Sequence, residues 1–167
     1  METQIVQFVN LADRLDLVDL VSRWRWQEWN RDKPYEYVRY SAAHNTQRDR
    51  IPMTFMAMLQ DRPVGMVSLW MNDLACRQDL HPWMASLYVD EAHRNRGIGR
   101  QLQEHAIRAA RELGYPRLYL MTDHVGYYER FGWSFLELAP TPDGGETRIY
   151  GRELADNQGR AGDCGSG

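Results

Sequence analysis

Apolar residues alternate at Trp83, Ala85, Leu87 and Val89, the two-residue period of a strand. They then recur at Ile98, Leu102, Ala106, Ala109 and Leu113, the spacing of one helical face. A polar, basic turn with two glycines separates the two patterns, and the rest of the chain arranges itself around this unit. Upstream, residues 5–9 read as a short edge strand, and Asn10 offers a side-chain cap to a helix over residues 11–29. Leu17, Leu20, Val21 and Trp24 share one face of that helix, widened by Leu11, Leu15 and Val18. Pro34 opens a second helix in its first turn, running to about His44. Residues 53–60 and 64–74 read as a buried hairpin turning at Asp61, Arg62 and Pro63.

Downstream, Gly114 and Pro116 end the long helix, and residues 117–122 form a strand. A strand, helix and strand in succession make a parallel crossover. Residues 126–131 suit a short helix stopped by Gly132, and residues 133–138 and 147–154 a closing hairpin across the turn residues 140–145.

Composition narrows the class. With 167 residues, 43% of them hydrophobic, the chain fits one domain over residues 1–154, and residues 155–167 have too little apolar surface to order themselves. The formal net charge of -3 argues against nucleic acid as a partner. No apolar run approaches the ~20 residues of a membrane span, and no basic leader precedes an apolar core, so a soluble cytoplasmic protein is expected. Cys76 and Cys164 make neither a disulfide framework nor a zinc site, and the histidines show no metal spacing, so no metal is expected.

The basic turn is the first chemical feature. Arg94, Asn95, Arg96, Gly97, Ile98, Gly99 and Arg100 place bare amides and positive charge where a helix begins, which favours an anion. A Walker loop is excluded, because no Gly-Lys-Ser/Thr follows. A dinucleotide fingerprint would use Gly97, Gly99 and, as its ribose acid, Asp123. Leu102 stands at its third small position, however, and the loop after Val89 is too long for its tight turn. Three arginines suit a more highly charged group, such as the pyrophosphate of an acyl-coenzyme A.

Arg94, Gly97 and Gly99 match the Arg/Gln-x-x-Gly-x-Gly/Ala motif of the GNAT acyltransferase superfamily, and Tyr128-Glu129-Arg130-Phe131-Gly132-Trp133 resembles that family's Tyr-Glu-x-x-Gly-Phe/Trp segment. Both motifs lie at the expected places in the order of elements, over nearly the whole chain. The resemblance implies an α/β (mixed α+β) fold, a mostly antiparallel, splayed mixed sheet flanked by helices. It also implies an acetyl-coenzyme A dependent N-acetyltransferase. Carried over by position, the amides from Arg94 to Arg100 would hold the pyrophosphate, with Arg94 and Arg96 as the leading side chains. The strand around Leu87, Tyr88 and Val89 would pair with the pantetheine arm, and Tyr128 would serve as the acid for the departing thiolate.

Acetyl transfer to an amine asks for a neutral amine, a polarised carbonyl and a proton for the thiolate. Direct attack needs no protein nucleophile, and a backbone amide near Leu87 or Val89 could polarise the carbonyl. Tyr127 is the alternative acid, but neighbouring helical side chains differ by about 100°, so both cannot face one sulfur. The base stays open among Asp79, His81, Asp123, His124 and Glu28. Trp24, Trp26, Trp29, Glu28 and Asp79, with Trp83 beyond the loop, suggest a cationic, partly apolar small-molecule amine as acceptor. The leading reading of the first-helix indoles is nonetheless core packing against a sheet and a neighbouring helix, and a peptide amino terminus is the other acceptor class. A homodimer would draw on exposed tryptophans or a swapped terminal strand. Two other readings of the anion site are a non-catalytic acyl-coenzyme A sensing module and a nicotinamide dehydrogenase.

Overall fold

The computed structural model describes residues 5–155. In chain order it contains β1 (Gln7–Asn10), α1 (Val18–Trp29), α2 (Tyr35–His44), β2 (Met53–Leu59), β3 (Arg62–Trp70), β4 (Trp83–Val89), α3 (Ile98–Glu112), β5 (Arg117–Thr122), β6 (Ser134–Pro140) and β7 (Glu146–Glu153). The strands form one sheet in the order β1-β2-β3-β4-β5-β7-β6. Every pairing is antiparallel except β4 with β5. This is the mixed, mostly antiparallel sheet flanked by helices that the sequence implies.

Strand alternation assigns each face its helix. Phe55, Ala57 and Leu59 of β2 pack with Leu102, Ala106 and Ala110 of α3, whereas Met56 and Met58 pack with Val21 and Trp24 of α1 and Ala42 of α2. A smaller cluster, Leu74, Trp83, Tyr119, Ala139 and Ile149, joins the β3–β4 loop to the second half of the sheet. Among the described residues no helix is long and apolar enough to cross a membrane.

Three expectations need correction. The helix over residues 11–29 is broken: single 3-10 turns at Leu11–Asp13 and Leu15–Leu17 precede α1, because Arg14 takes φ -138°, ψ 60° between them. Asn10 still caps the first turn, its Oδ1 accepting from the Ala12 amide at 2.8 Å, but Leu15 is turned out, 62% exposed. Pro34 stands one place before α2 rather than inside it, since its ψ of 141° is extended. The strand expected to reach residue 74 ends at Trp70, where the chain leaves the sheet so that Leu74 can cover Trp83 and Tyr119. Of the expected tail, only Ala155 lies within the described residues.

Candidate active site

The sheet parts between its two halves. β4 and β5 share one registered pair, Trp83 with Tyr119, and the Tyr119 amide donates to the Pro82 carbonyl at 3.0 Å. Beyond that point the strands diverge, leaving Leu87, Tyr88 and Val89 on one side of a notch and Met121 and Thr122 on the other. β4 is also bulged. Met66 pairs with Tyr88 and Ser68 with Ala85, so Ser86 and Leu87 together oppose Val67, and Ser86 takes φ 51°. A bulge leaves its extra residue outside the ladder, which makes backbone donors available at the place where the sequence called for one.

Just past β4 the basic turn is shaped by backbone signs that few residues adopt. Asn95 has φ 62° and Gly97 φ 78°, and Gly97 is the residue from which α3 starts. A side chain at Gly97 would be strained in that left-handed conformation. No side chain caps α3 and no acidic residue sits in its first turn. Among the described residues, no hydrogen bond within the chain uses the amides from Asn95 to Arg100. Orphan amides at a helix start, under the positive end of its dipole, make an anion cradle.

The three arginines differ in their commitments. Arg94 folds back, its Nε donating to the Val89 carbonyl at 2.9 Å and its guanidinium 5.6 Å from the Tyr88 ring centroid. Arg100 is engaged one turn on by Glu104 at 3.1 Å. Arg96 alone of the three is exposed without a partner among the described residues. Gly99 faces the notch; a Cβ there would lie 3.7 Å from the Tyr127 hydroxyl and 3.8 Å from Val89 Cγ2. Ile98 anchors the turn by burying its side chain in the core.

Tyr128 opens a 3-10 turn, Tyr128–Phe131, which Gly132 ends at φ 86°. Its half-buried ring packs against Tyr127, Trp133 and Tyr150, and burial, with the neighbouring Tyr127, pushes its hydroxyl up to about 12. The turn is pinned from β7: the Tyr150 hydroxyl donates to Glu129 Oε1 at 2.7 Å and accepts from Arg148 Nε at 3.2 Å. That contact holds the Glu129 carboxyl below its usual range. Arg152 further ties the Phe131 carbonyl to β7.

The expected acceptor residues scatter. Trp24, rather than its neighbours, reaches the notch, its ring 4.9 Å from that of Tyr88. Trp26 is half-buried, its indole donating to the Lys33 carbonyl at 2.8 Å and meeting Tyr35 edge-on, so it staples α1 to α2. Trp29 lies on the surface at the end of α1, and Glu28 is exposed one turn beyond Trp24. Burial chiefly, then Asp90 and Glu28, raises the Tyr88 hydroxyl. Trp83 is fully buried with its ring N–H on the Leu80 carbonyl at 2.6 Å, so it presents no surface to an acceptor. Asp79 is exposed and bound by Arg77 at 2.8 Å, which lowers its carboxyl, while His81 is exposed before a cis proline. Asp123 and His124 are exposed after β5, with the His124 ring 6.0 Å from Tyr127.

Sequence patterns do not reveal two contributors. Gly65 pairs with Val89 at the end of β4, where a Cβ would meet the Tyr88 carbonyl oxygen at 2.8 Å and Leu102 Cδ1 at 3.0 Å. Ser86 forms the bulge. A lone glycine between strand residues was the one available signal, and it marks close backbone approach.

A helix start with unpartnered amides, a strand bulged beside it and a tyrosine-bearing turn thus lie together across one splayed sheet. Residues 18–133 match the Acetyltransferase (GNAT) family, and the chain belongs to that family. Among solved structures the fold is similar to an aminoglycoside 6'-N-acetyltransferase complexed with coenzyme A, at 15% identity and TM-score 0.70, over 90% of this chain and 97% of that one. It is also similar to the aminoglycoside 6'-N-acetyltransferase from Enterococcus faecium, at 15% identity and TM-score 0.67 over the same shares, 90% and 97%. A GNAT family acetyltransferase from Elizabethkingia anophelis with acetyl-CoA bound aligns over 62% of this chain and 76% of its own, at 17% identity and TM-score 0.53. No curated protein sequence matches significantly.

Proposed function

We propose that the protein transfers an acetyl group from acetyl-coenzyme A to a primary amine of a small molecule, by direct attack of the amine. The observation that carries this reading is the unpartnered amide run from Asn95 to Arg100 at the mouth of the splay. Those amides, with Arg96 and a released Arg94, suit the coenzyme's pyrophosphate, and the edge of β4 at Leu87 and Val89 suits its amide-bearing arm. The coenzyme supplies an activated acetyl thioester. The chain's own residues do the rest: the bulge at Ser86 and Leu87 directs an amide at the carbonyl oxygen, and Tyr128 holds a proton at its hydroxyl for the leaving sulfur. Raised by burial to about 12, the Tyr128 hydroxyl is protonated at neutral pH and supports the reading as a hydrogen-bond donor to the sulfur.

On the opposite face Trp24, Tyr88 and Glu28 offer aromatic surface and negative charge to a protonated amine, which loses one proton to water before attack and a second after it, the latter restoring the Tyr128 hydroxyl. Relatives of this fold that act on aminoglycosides lend support to a small cationic acceptor. The test is thiol release from acetyl-coenzyme A across a panel of amines, with coenzyme binding measured alongside. Amine-dependent release is expected. Tight binding of the coenzyme with no release for any amine would instead identify a non-catalytic sensing module.

A further inference from the structure

Gln103 is a buried amide that bonds through one end only. It leaves the second turn of α3 at 1% exposed, and its Oε1 accepts from the Trp133 indole at 3.2 Å. An indole nitrogen only donates, so the oxygen must face it and Nε2 is the end left over. Among the described residues that Nε2 is buried with no hydrogen-bond partner. A stranded donor is costly, and stability alone would favour an apolar residue there. The explanation lies in what the oxygen holds.

Three rings pack on Tyr128. Tyr127 is carried by the adjoining residue, whereas Trp133 and Tyr150 reach it from beyond the turn. Trp133, 2% exposed, meets the Tyr128 ring edge-on, with 6.4 Å between centroids and 79° between planes. Tyr150, fully buried, lies at 6.1 Å and 46°, and its hydroxyl is fixed to Glu129 Oε1 at 2.7 Å. Each of these two rings is thus oriented by a polar bond at its rim, one from α3 and one from the turn itself. The Tyr128 hydroxyl makes no hydrogen bond among the described residues, so its direction depends on what holds its ring.

Position adds a link to the coenzyme end of the site. Gly99, one helical turn before Gln103, lies in the first turn of α3, and a Cβ on it would be 3.7 Å from the Tyr127 hydroxyl. The helix that presents the amide cradle therefore also carries the residue that sets the Trp133 ring. We propose that Gln103 is a positioning residue for acyl transfer: it locks the Trp133 indole and, through that ring, aims the Tyr128 hydroxyl at the leaving sulfur. This deepens the acetyltransferase reading and rests on it.

The test compares two variants of the full chain. Gln103→Met keeps the length of the side chain without its amide, and Gln103→Glu, neutral because it is buried, still offers an oxygen to the indole. In steady-state kinetics Gln103→Met lowers kcat about tenfold at an unchanged KM for acetyl-coenzyme A, and Gln103→Glu restores most of it. The urea midpoint of Gln103→Met does not fall, since one stranded donor replaces another, whereas a purely structural glutamine would lose stability and kcat together. In a Tyr128→Phe background Gln103→Met causes no further loss, because no hydroxyl is left to aim. The NMR resonance of the Tyr128 ζ-carbon, identified in isotope-labelled protein by its disappearance in Tyr128→Phe, reads the ring without turnover. A reoriented indole shifts it in Gln103→Met but not in Gln103→Glu. Undiminished kcat in Gln103→Met, an equal loss in the Tyr128→Phe background, or an unmoved resonance overturns the proposal. Normal kcat in Tyr128→Phe overturns the acid reading instead, and the resonance then still decides whether Gln103 sets the ring.

Discussion

The rings of Tyr127 and Tyr128 stand nearly perpendicular, with 4.8 Å between centroids and 89° between planes. One hydroxyl is directed toward Gly99 at the start of α3, while the other ring lies among Trp133 and Tyr150. The two phenols therefore have separable parts. Tyr128→Phe should lower kcat by about 100-fold with coenzyme binding retained, the lower range for loss of a general acid. Tyr127→Phe should change coenzyme binding more than kcat. Because burial raises Tyr128 to about 12, the wild-type rate should not fall through the ordinary tyrosine range near 10. Equal kcat in Tyr128→Phe and wild type would remove Tyr128 from the acid role.

Arg96 and Arg100 carry the same charge but unequal freedom, since Glu104 already engages Arg100 at 3.1 Å. Arg96→Ala should weaken coenzyme A binding by about tenfold, as expected for loss of one charge-assisted contact to phosphate, and Arg100→Ala by clearly less. Fluorescence or calorimetric titration at two salt concentrations checks the order. The gap between them should narrow as salt rises.

Gly65 is required by the approach of two backbones. A Cβ at 2.8 Å from the Tyr88 carbonyl oxygen must push β4 away from β3. Gly65→Ala should cost about 1–3 kcal/mol by overpacking and should also weaken coenzyme binding, because the displaced strand is the one beside the notch. Gly97→Ala should cost about 1–2 kcal/mol from its left-handed backbone. Denaturant melts with a parallel binding assay separate the two: a stability loss in Gly65→Ala with coenzyme affinity intact would show that β4 does not shift.

Thr54 Oγ1 and Ser68 Oγ are hydrogen-bonded at 2.7 Å, both fully buried between β2 and β3 on the side facing α1. Thr54→Val strands the Ser68 hydroxyl and should cost about 1–3 kcal/mol. The double variant Thr54→Val, Ser68→Ala leaves no unpaired group and should recover part of that loss. A double-mutant cycle by urea unfolding measures it, and strict additivity would mean the hydroxyls act independently.

How much of this was legible beforehand follows from the range of each interaction. The strand at Trp83, the turn from Arg94 to Arg100 and the helix from Ile98 depend on local periodicity, glycine backbone signs and charge, all of which are written in neighbouring residues. The Tyr128 turn is equally local, ended by Gly132 and resumed in β6. Asn10 capped its helix for the same reason. The break at Arg14 was not legible, since Leu11 and Leu17 keep a helical spacing and share one buried cluster, while the φ of -138° that Arg14 takes between them leaves no mark in the pattern.

By itself the sequence determined the order of elements, the amide cradle and the family. Each arises from contacts within a few residues or from a motif with fixed spacing. Only the tertiary structure decided that Trp24, and not Trp26 or Trp83, faces Tyr88. It alone revealed that Gly65 crowds the end of β4 and that Arg25 is buried against Trp70, 45 residues away. Those choices depend on how strands of opposite direction bring distant residues to one face. Side-chain type carries no record of that pairing, because a buried arginine and a surface arginine are the same letter until the fold removes the water around one of them.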